Sequence, residues 1–324
     1  MKLTALSAGL LRLAGNAVAR IRRGDQTLFV ITYHRILAAP DPLLESEPDV
    51  TQFRWQMEVL ARCFNVLPLS QALKLLDAGR LPPRAVCVTF DDGYRSVHDL
   101  ALPVLTEFGV PATVFVTIGF LDGGTMWNDR IITAVQSLKV SELDMGAFGL
   151  GKLPLNNVDD RKATSLHLTE TAKYLPPDER TRLVEHLEAL VGSPARGLML
   201  TPEMVVNLDR NGVEIGAHTV THPILTSLDC NSARAEIVGS KEYLEALLGK
   251  PVPLFAYPNG KVGIDFDASH IDILRENGFA AAFTTAIGAI TRTQDRFQLP
   301  RSRPWDRTPF LFGMRLLRWL AQAV

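Results

Sequence analysis

Short apolar runs that break off in polar residues alternate, along most of this chain, with longer stretches of three-to-four-residue period. Residues 28–35, 85–94 and 112–117 begin as near-continuous apolar or β-branched runs, the pattern of strands covered on both faces. Val213, Ile215 and Ala217 alternate as a strand. Residues 65–69, 253–257, 280–285 and 297–301 read as further extended pieces. Between them, helical spacing predicts helices over about 51–63, 70–76, 96–108, 202–211, 232–248 and 271–276. Ser70 is the expected cap of the second, and Gly79, Gly109, Gly249 and Gly278 are stop signals. Strand followed by helix, repeated, argues for parallel βαβ units and an α/β fold.

The alternation weakens between about 119 and 200. A helix is expected from Trp127 toward Leu138, then a loop rich in Gly, Pro and Asn, then a polar helix over about 178–191. This stretch reads as an insertion carried above the sheet. The ends differ again. Leu3, Leu6, Leu10, Leu13, Ala17 and Ile21 recur at helical spacing, with Arg12, Asn16, Arg20 and Arg23 on another face. Phe310, Met314, Leu317 and Leu320 repeat the pattern near the C-terminus, against Arg315 and Arg318. Both amphipathic helices are expected to pack on the domain, with a membrane surface as the alternative. The division that results is an N-terminal helix over 1–24 and a single barrel over 25–324, its core about 84–303.

Composition narrows the classes. The 324 residues are 47% hydrophobic and 21% charged, with a formal net charge of -1, which is an ordinary globular balance and not that of a nucleic-acid binder. Cys63, Cys87 and Cys230 are too few and too scattered for a disulfide framework or a zinc cluster. No run is long enough to span a membrane. Arg12 interrupts the apolar start, which speaks against a signal peptide. The expected location is therefore cytoplasmic or peripheral on a membrane.

The chemistry collects where strands end. They terminate in Tyr33-His34, Asp91-Asp92, His218 with His222, and Tyr257-Pro258-Asn259, and parallel sheets carry their sites at the carboxyl ends of strands. Adjacent carboxylates repel, and a bound cation would relieve this by taking one as ligand and leaving the other as a base; a helix N-cap is the alternative. His218 and His222 stand four apart, and Pro223 disfavours helical geometry at His222, which puts the pair on a strand end and turn. Two histidines and one aspartate make a three-ligand site with open positions. Zinc is the first expectation, while N/O ligation also admits cobalt, manganese, nickel or iron. His167 and His186 read as surface residues, and His98 as structural or supporting.

Thr89-Phe90-Asp91-Asp92-Gly93-Tyr94, His218-Thr219-Val220-Thr221-His222-Pro223 and Phe108–Phe115 resemble the motifs of NodB-type polysaccharide deacetylases, carbohydrate esterase family 4, over roughly 28–303. The resemblance implies an irregular (β/α)7-type barrel, here with a helical insertion and amphipathic terminal helices. It implies a metal-dependent hydrolase that removes N-acetyl groups from a polysaccharide or glycolipid. An amidase or deformylase acting on a small or lipid-linked sugar, or a catalytically dead glycan-binding barrel, are the alternatives. By the same resemblance Asp92, His218 and His222 hold the metal, Asp91 is the general base, and the Asn259 N–H faces the oxyanion. Two departures stand out. Ala256 occupies the position of the family's arginine, a role Arg301 or Arg303 could take over. No histidine follows His270, so His34 is the expected general acid.

Overall fold

Strand β1 (Leu28–Tyr33) pairs in parallel along its whole length with β3 (Ala85–Phe90), Leu28 opposite Ala85 and Tyr33 opposite Phe90. All twelve of these residues are buried, which is why both strands read as near-continuous apolar or β-branched runs. The computed structural model describes residues 3–21, 26–192, 197–303 and 306–322. Arg23, on the expected polar face of the first helix, lies outside the described residues, as do the last two residues of the chain.

The sheet continues through β4 (Ala112–Val116), β7 (Glu214–Ala217), β8 (Leu254–Ala256) and β9 (Ala281–Phe283), all in parallel, and β2 (Asn65–Val66) pairs with the start of β3. Beyond β9 the chain returns to β1. Leu299 bridges Phe283 and Ser302 bridges Ile31, both in parallel, with Ser302 donating to Val30 O at 3.0 Å and Thr32 donating to Ser302 O at 3.2 Å. The segment 299–302 thereby closes an irregular barrel of the kind the motifs imply.

Helices α2 (Val50–Cys63), α3 (Leu69–Asp77), α4 (Leu102–Phe108), α8 (Pro202–Arg210), α9 (Cys230–Leu248) and α10 (Ala268–Glu276) wrap the sheet. A π-helical turn (Val97–Ala101) precedes α4. The start of α3 corrects an expectation: Pro68, not Ser70, is its N-cap, and no side chain caps it.

The insertion holds α5 (Trp127–Ser137), an antiparallel pair β5 (Glu142–Asp144) and β6 (Lys152–Pro154), α6 (Val158–Lys173) and α7 (Pro177–Val191). Helix α6 occupies much of the stretch for which the Gly, Pro and Asn content predicts a loop. The insertion has its own core, where Ile131, Leu143, Leu168, Leu183 and Leu187 are buried together.

The terminal helices α1 (Ala5–Ile21) and α11 (Pro309–Ala321) pack side by side against α2. Their packed faces match those the spacing predicts only in part. On α1 the buried side chains are Ala8 and Leu11, with Leu3 just before it also buried, whereas Leu6, Leu10 and Leu13 face solvent. On α11 they are Phe312, Leu316, Leu317, Trp319 and Leu320, with Phe310, Leu311 and Met314 outward. Two glycines explain the choice on α1. A Cβ on Gly313 would fall 2.6 Å from Leu11, and one on Gly15 would fall 2.9 Å from Leu317. The backbones come close along that line, and the helices run in the same direction.

Candidate metal centre and active site

The carboxyl end of β3 delivers Asp91 and Asp92, that of β7 delivers His218, and the turn beyond delivers His222. Asp92 Oδ1 lies 3.3 Å from His218 Nε2 and 3.4 Å from His222 Nε2. One ligand atom from each of the three residues falls within 4.8 Å of the others. Asp92 Oδ1 and His222 Nδ1 are buried without a hydrogen-bond partner among the described residues, and an orphaned buried carboxylate oxygen facing two imidazoles is costly unless a cation joins them. The donor set and this unpaired oxygen fit a divalent metal.

The backbone is bent to make this meeting possible. Asp92, Thr219, His222 and Asn259 all have positive φ, from 57° to 71°, a region non-glycine residues avoid and that concentrates at functional sites. Thr219 holds the histidine turn, its hydroxyl donating to His218 O at 2.6 Å and accepting from the His222 N–H at 3.1 Å. His218 is oriented by Ala256 O, 2.7 Å from its Nδ1, which leaves Nε2 for the site.

Electrostatics favour the ligating forms of His222 and Asp92. Burial pushes the His222 imidazole down to about 4 against the pull of Asp92, so at neutral pH the ring is unprotonated, as ligation requires. Burial opposes ionisation of Asp92, but the closeness of His218, with His222 and His34 beyond, holds its carboxyl well below the usual range.

Asp91 is the other half of the site. Its carboxylate receives both arms of Arg301, Nη1 to Oδ1 at 2.6 Å and Nη2 to Oδ2 at 2.7 Å. Burial acts to raise its pKa, but the Arg301 charge, then His218, outweighs this and keeps the group ionised. Arg301 is itself fully buried, beside the packed Phe115 and Phe283 rings, and reaches Asp91 from the closing segment 299–302. Arg303, two residues on, turns away and pairs with Glu47. His34, at the end of β1, is close enough to bear electrostatically on Asp91, Asp92 and His222. Asn259 sits in the turn after β8, where among the described residues its N–H has no hydrogen-bond partner. The structure thus brings Asp91, Asp92, His218, His222, Arg301 and His34 to one rim, with the Asn259 turn on the neighbouring strand end. His98 is elsewhere, between Asp99 and Asn207, and His186 packs on Phe148 in the insertion.

Residues 78–149 and 151–283, well over half of the chain, match the sequence model of the polysaccharide deacetylases. The chain belongs to the polysaccharide deacetylase family. It is similar to the poly-β-1,6-N-acetyl-D-glucosamine N-deacetylase of Staphylococcus epidermidis, 28% identical over 143 residues that cover 40% of this chain and 49% of that protein. Among solved structures it resembles the Streptococcus pyogenes deacetylase PplD in complex with acetate, with a TM-score of 0.61 and 18% identity over 91% of this chain and 99% of that one. It also resembles IcaB from Ammonifex degensii, with a TM-score of 0.58 and 20% identity over 92% and 98%. At those identities the two structures speak for the fold.

Two supports of this deacetylase rim carried no signal in the sequence. Glu236, on α9, accepts from the Val220 and Thr221 N–H groups at 2.8 Å and from the Thr221 hydroxyl at 2.6 Å, pinning the turn between the two histidines. Asp129, on α5 of the insertion, is buried and pairs with Arg35 while accepting from the Tyr94 hydroxyl at 2.9 Å. The insertion is thereby tied to the segment just after Asp91-Asp92. Beside the rim opens a cleft of roughly 1260 Å3, lined by His34, Trp55, Lys162, Ile287, Arg303 and Arg307 among others, large enough for several sugar rings.

Proposed function

We propose that this chain hydrolyses N-acetyl groups from an amino-sugar glycan or glycolipid, with a divalent metal held by Asp92, His218 and His222. The observation that carries the reading is the pairing of that triad with a second carboxylate, Asp91, kept ionised by a fully buried arginine. A structural aspartate has no need of such an arrangement. A base does.

A cation at the triad would supply Lewis acidity to the attacking water and to the amide carbonyl. Zinc suits the ligand set first, and cobalt, manganese, nickel or iron would also be accepted. Asp91 takes a proton from the water as its oxygen adds to the acyl carbon. Arg301 holds Asp91 in one orientation and in its charged form. The Asn259 N–H donates to the carbonyl oxygen as negative charge grows there. His34 gives a proton to the departing amine, and acetate and the free amino sugar leave. The dead-barrel alternative draws on the missing arginine at Ala256 and the missing C-terminal histidine; in this reading Arg301, from the closing segment, and His34, at the end of β1, stand in for them.

The relative from S. epidermidis suggests oligomers of β-1,6-linked N-acetylglucosamine as the first substrate to try. Acetate and free amine should appear in equal amounts, stop when a chelator is added, and resume when a divalent metal is restored. Unchanged release by Asp91→Asn, or none by the metal-loaded wild type on any N-acetylated glycan, would overturn the proposal.

A further inference from the structure

Several of the exposed apolar side chains of this molecule lie on the two terminal helices. On α1, Leu6 is 77% exposed, Leu13 69% and Leu10 51%; on the parallel α11, Leu311 is 54% exposed and Met314 42%. Singly such residues are ordinary, but five of them on two adjoining helices are apolar surface that solvent disfavours. The end they occupy follows from the packing. Thr27, just before β1, donates its hydroxyl to Leu320 O at 3.1 Å, and Trp319 stacks on Phe29 near the start of β1 at 4.9 Å. The carboxyl end of α11 therefore lies at the amino ends of the strands. Leu311 lies toward the opposite end, where the catalytic rim is, and α1 runs the same way. Val262, Ile264 and Ile287, each at least 51% exposed, sit on the loops leaving β8 and β9 at that same rim.

Charge says what covers this surface. The chain as a whole is close to neutral, yet neither residues 1–24 nor residues 307–324 include an aspartate or glutamate. Arg12, Arg307 and Arg318 are exposed there. A second copy related by a two-fold axis would set these arginines against themselves. A bilayer with anionic headgroups would accept both the leucines and the arginines. No helix among the described residues is long and apolar enough to cross a membrane, so the contact is superficial.

We propose that the α1–α11 face docks on an anionic lipid surface, turning the catalytic rim and its cleft toward the bilayer. A glycan carried on lipid would then be presented to the cleft without leaving the membrane. The docking itself does not rest on the deacetylase reading, because its test reads binding alone.

The full chain is floated with vesicles of phosphatidylcholine, and with vesicles of phosphatidylcholine and phosphatidylglycerol in about equal parts. The wild type is expected to float with the anionic vesicles at least about tenfold more than with the neutral ones. The triple variant Leu6→Gln/Leu10→Gln/Leu13→Gln should lose about tenfold or more of that binding. Its melting temperature should be that of the wild type, because all three side chains face solvent. Absence of flotation by the wild type, or equal flotation with both vesicles, would overturn the proposal. So would a wild-type dimer that the triple variant converts to monomer, since the face would then belong to a second copy.

Discussion

Arg301→Met tests the reading of the site most directly, because it removes one charge from a buried pair and leaves the other stranded. The two short charge-assisted hydrogen bonds to Asp91 contribute about 1.5–3 kcal/mol each. Breaking a buried pair by deleting one partner costs about 3–5 kcal/mol, so the two routes agree. The sign of the pH effect follows from the causes. In the wild type, burial acts to raise the Asp91 pKa and Arg301 overrides it. Without Arg301 the burial dominates, and the folded carboxyl titrates above its ordinary value of 3.8. Stability of the variant then falls as pH rises through the range where the unfolded carboxyl has already ionised. The acidic limb of kcat/KM, which marks ionisation of the base, moves to higher pH. Urea unfolding at pH 5 and pH 8, beside pH profiles of acetate release, reads both effects. Asp91→Asn/Arg301→Met should recover most of the stability lost, since no charge is left uncompensated, and none of the activity. A stability loss under about 1 kcal/mol, where a buried pair predicts several, or an acidic limb that stays where it was, would refute the argument.

Further outcomes follow from the same geometry. Zinc at about a hundred times its dissociation constant should stabilise the wild type by about 2.7 kcal/mol, and His222→Ala should abolish that increment in calorimetry. His34→Gln should lower kcat by about 10²–10⁴-fold with metal content unchanged and the basic limb of the pH profile lost. Glu236→Ala removes the acceptor that pins the histidine turn, and should weaken metal affinity about 10–100-fold by equilibrium dialysis. Glu236→Gln, which keeps a carbonyl acceptor, should recover part of it.

The strands were legible because parallel strands buried on both faces leave a one-dimensional signature: 28–33, 85–90 and 112–116 are apolar but for one threonine each. The cluster of Asp92, His218 and His222 was legible because its residues sit at strand ends or in the turn just beyond, where a polar cluster follows an apolar run. Helix α6 was not. The residues it buries include Thr164, Ser165 and Ala172 beside Leu168, so its inward face looks hardly different from its outward one. For α1, spacing gave a stripe but could not choose the packed one, because the helix carries apolar residues on two sides and Gly15, with Gly313 opposite, decides which backbone line can come close.

The choice between Arg301 and Arg303 shows where the limit lies. Two residues apart on an extended piece, they have the same local signature, and either could reach a strand-end carboxylate. What separates them is a hydrogen-bond pattern made by residues more than 200 positions away: Ser302 bridges Ile31, and the ladder ends there. Arg301 lies inside the last closed turn of the barrel, walled by Phe115 and Phe283, and can leave neither Asp91 nor the low-dielectric interior. Arg303 lies past it and reaches Glu47 at the surface of the cleft. A charge that motif comparison looks for at Ala256, on β8, is supplied instead by the segment that closes the sheet. The chemistry therefore constrains the point in space above Asp91 and leaves free the strand that fills it, so Arg301→Ala/Ala256→Arg should restore more acetate release than Arg301→Ala alone if β8 can still reach that point.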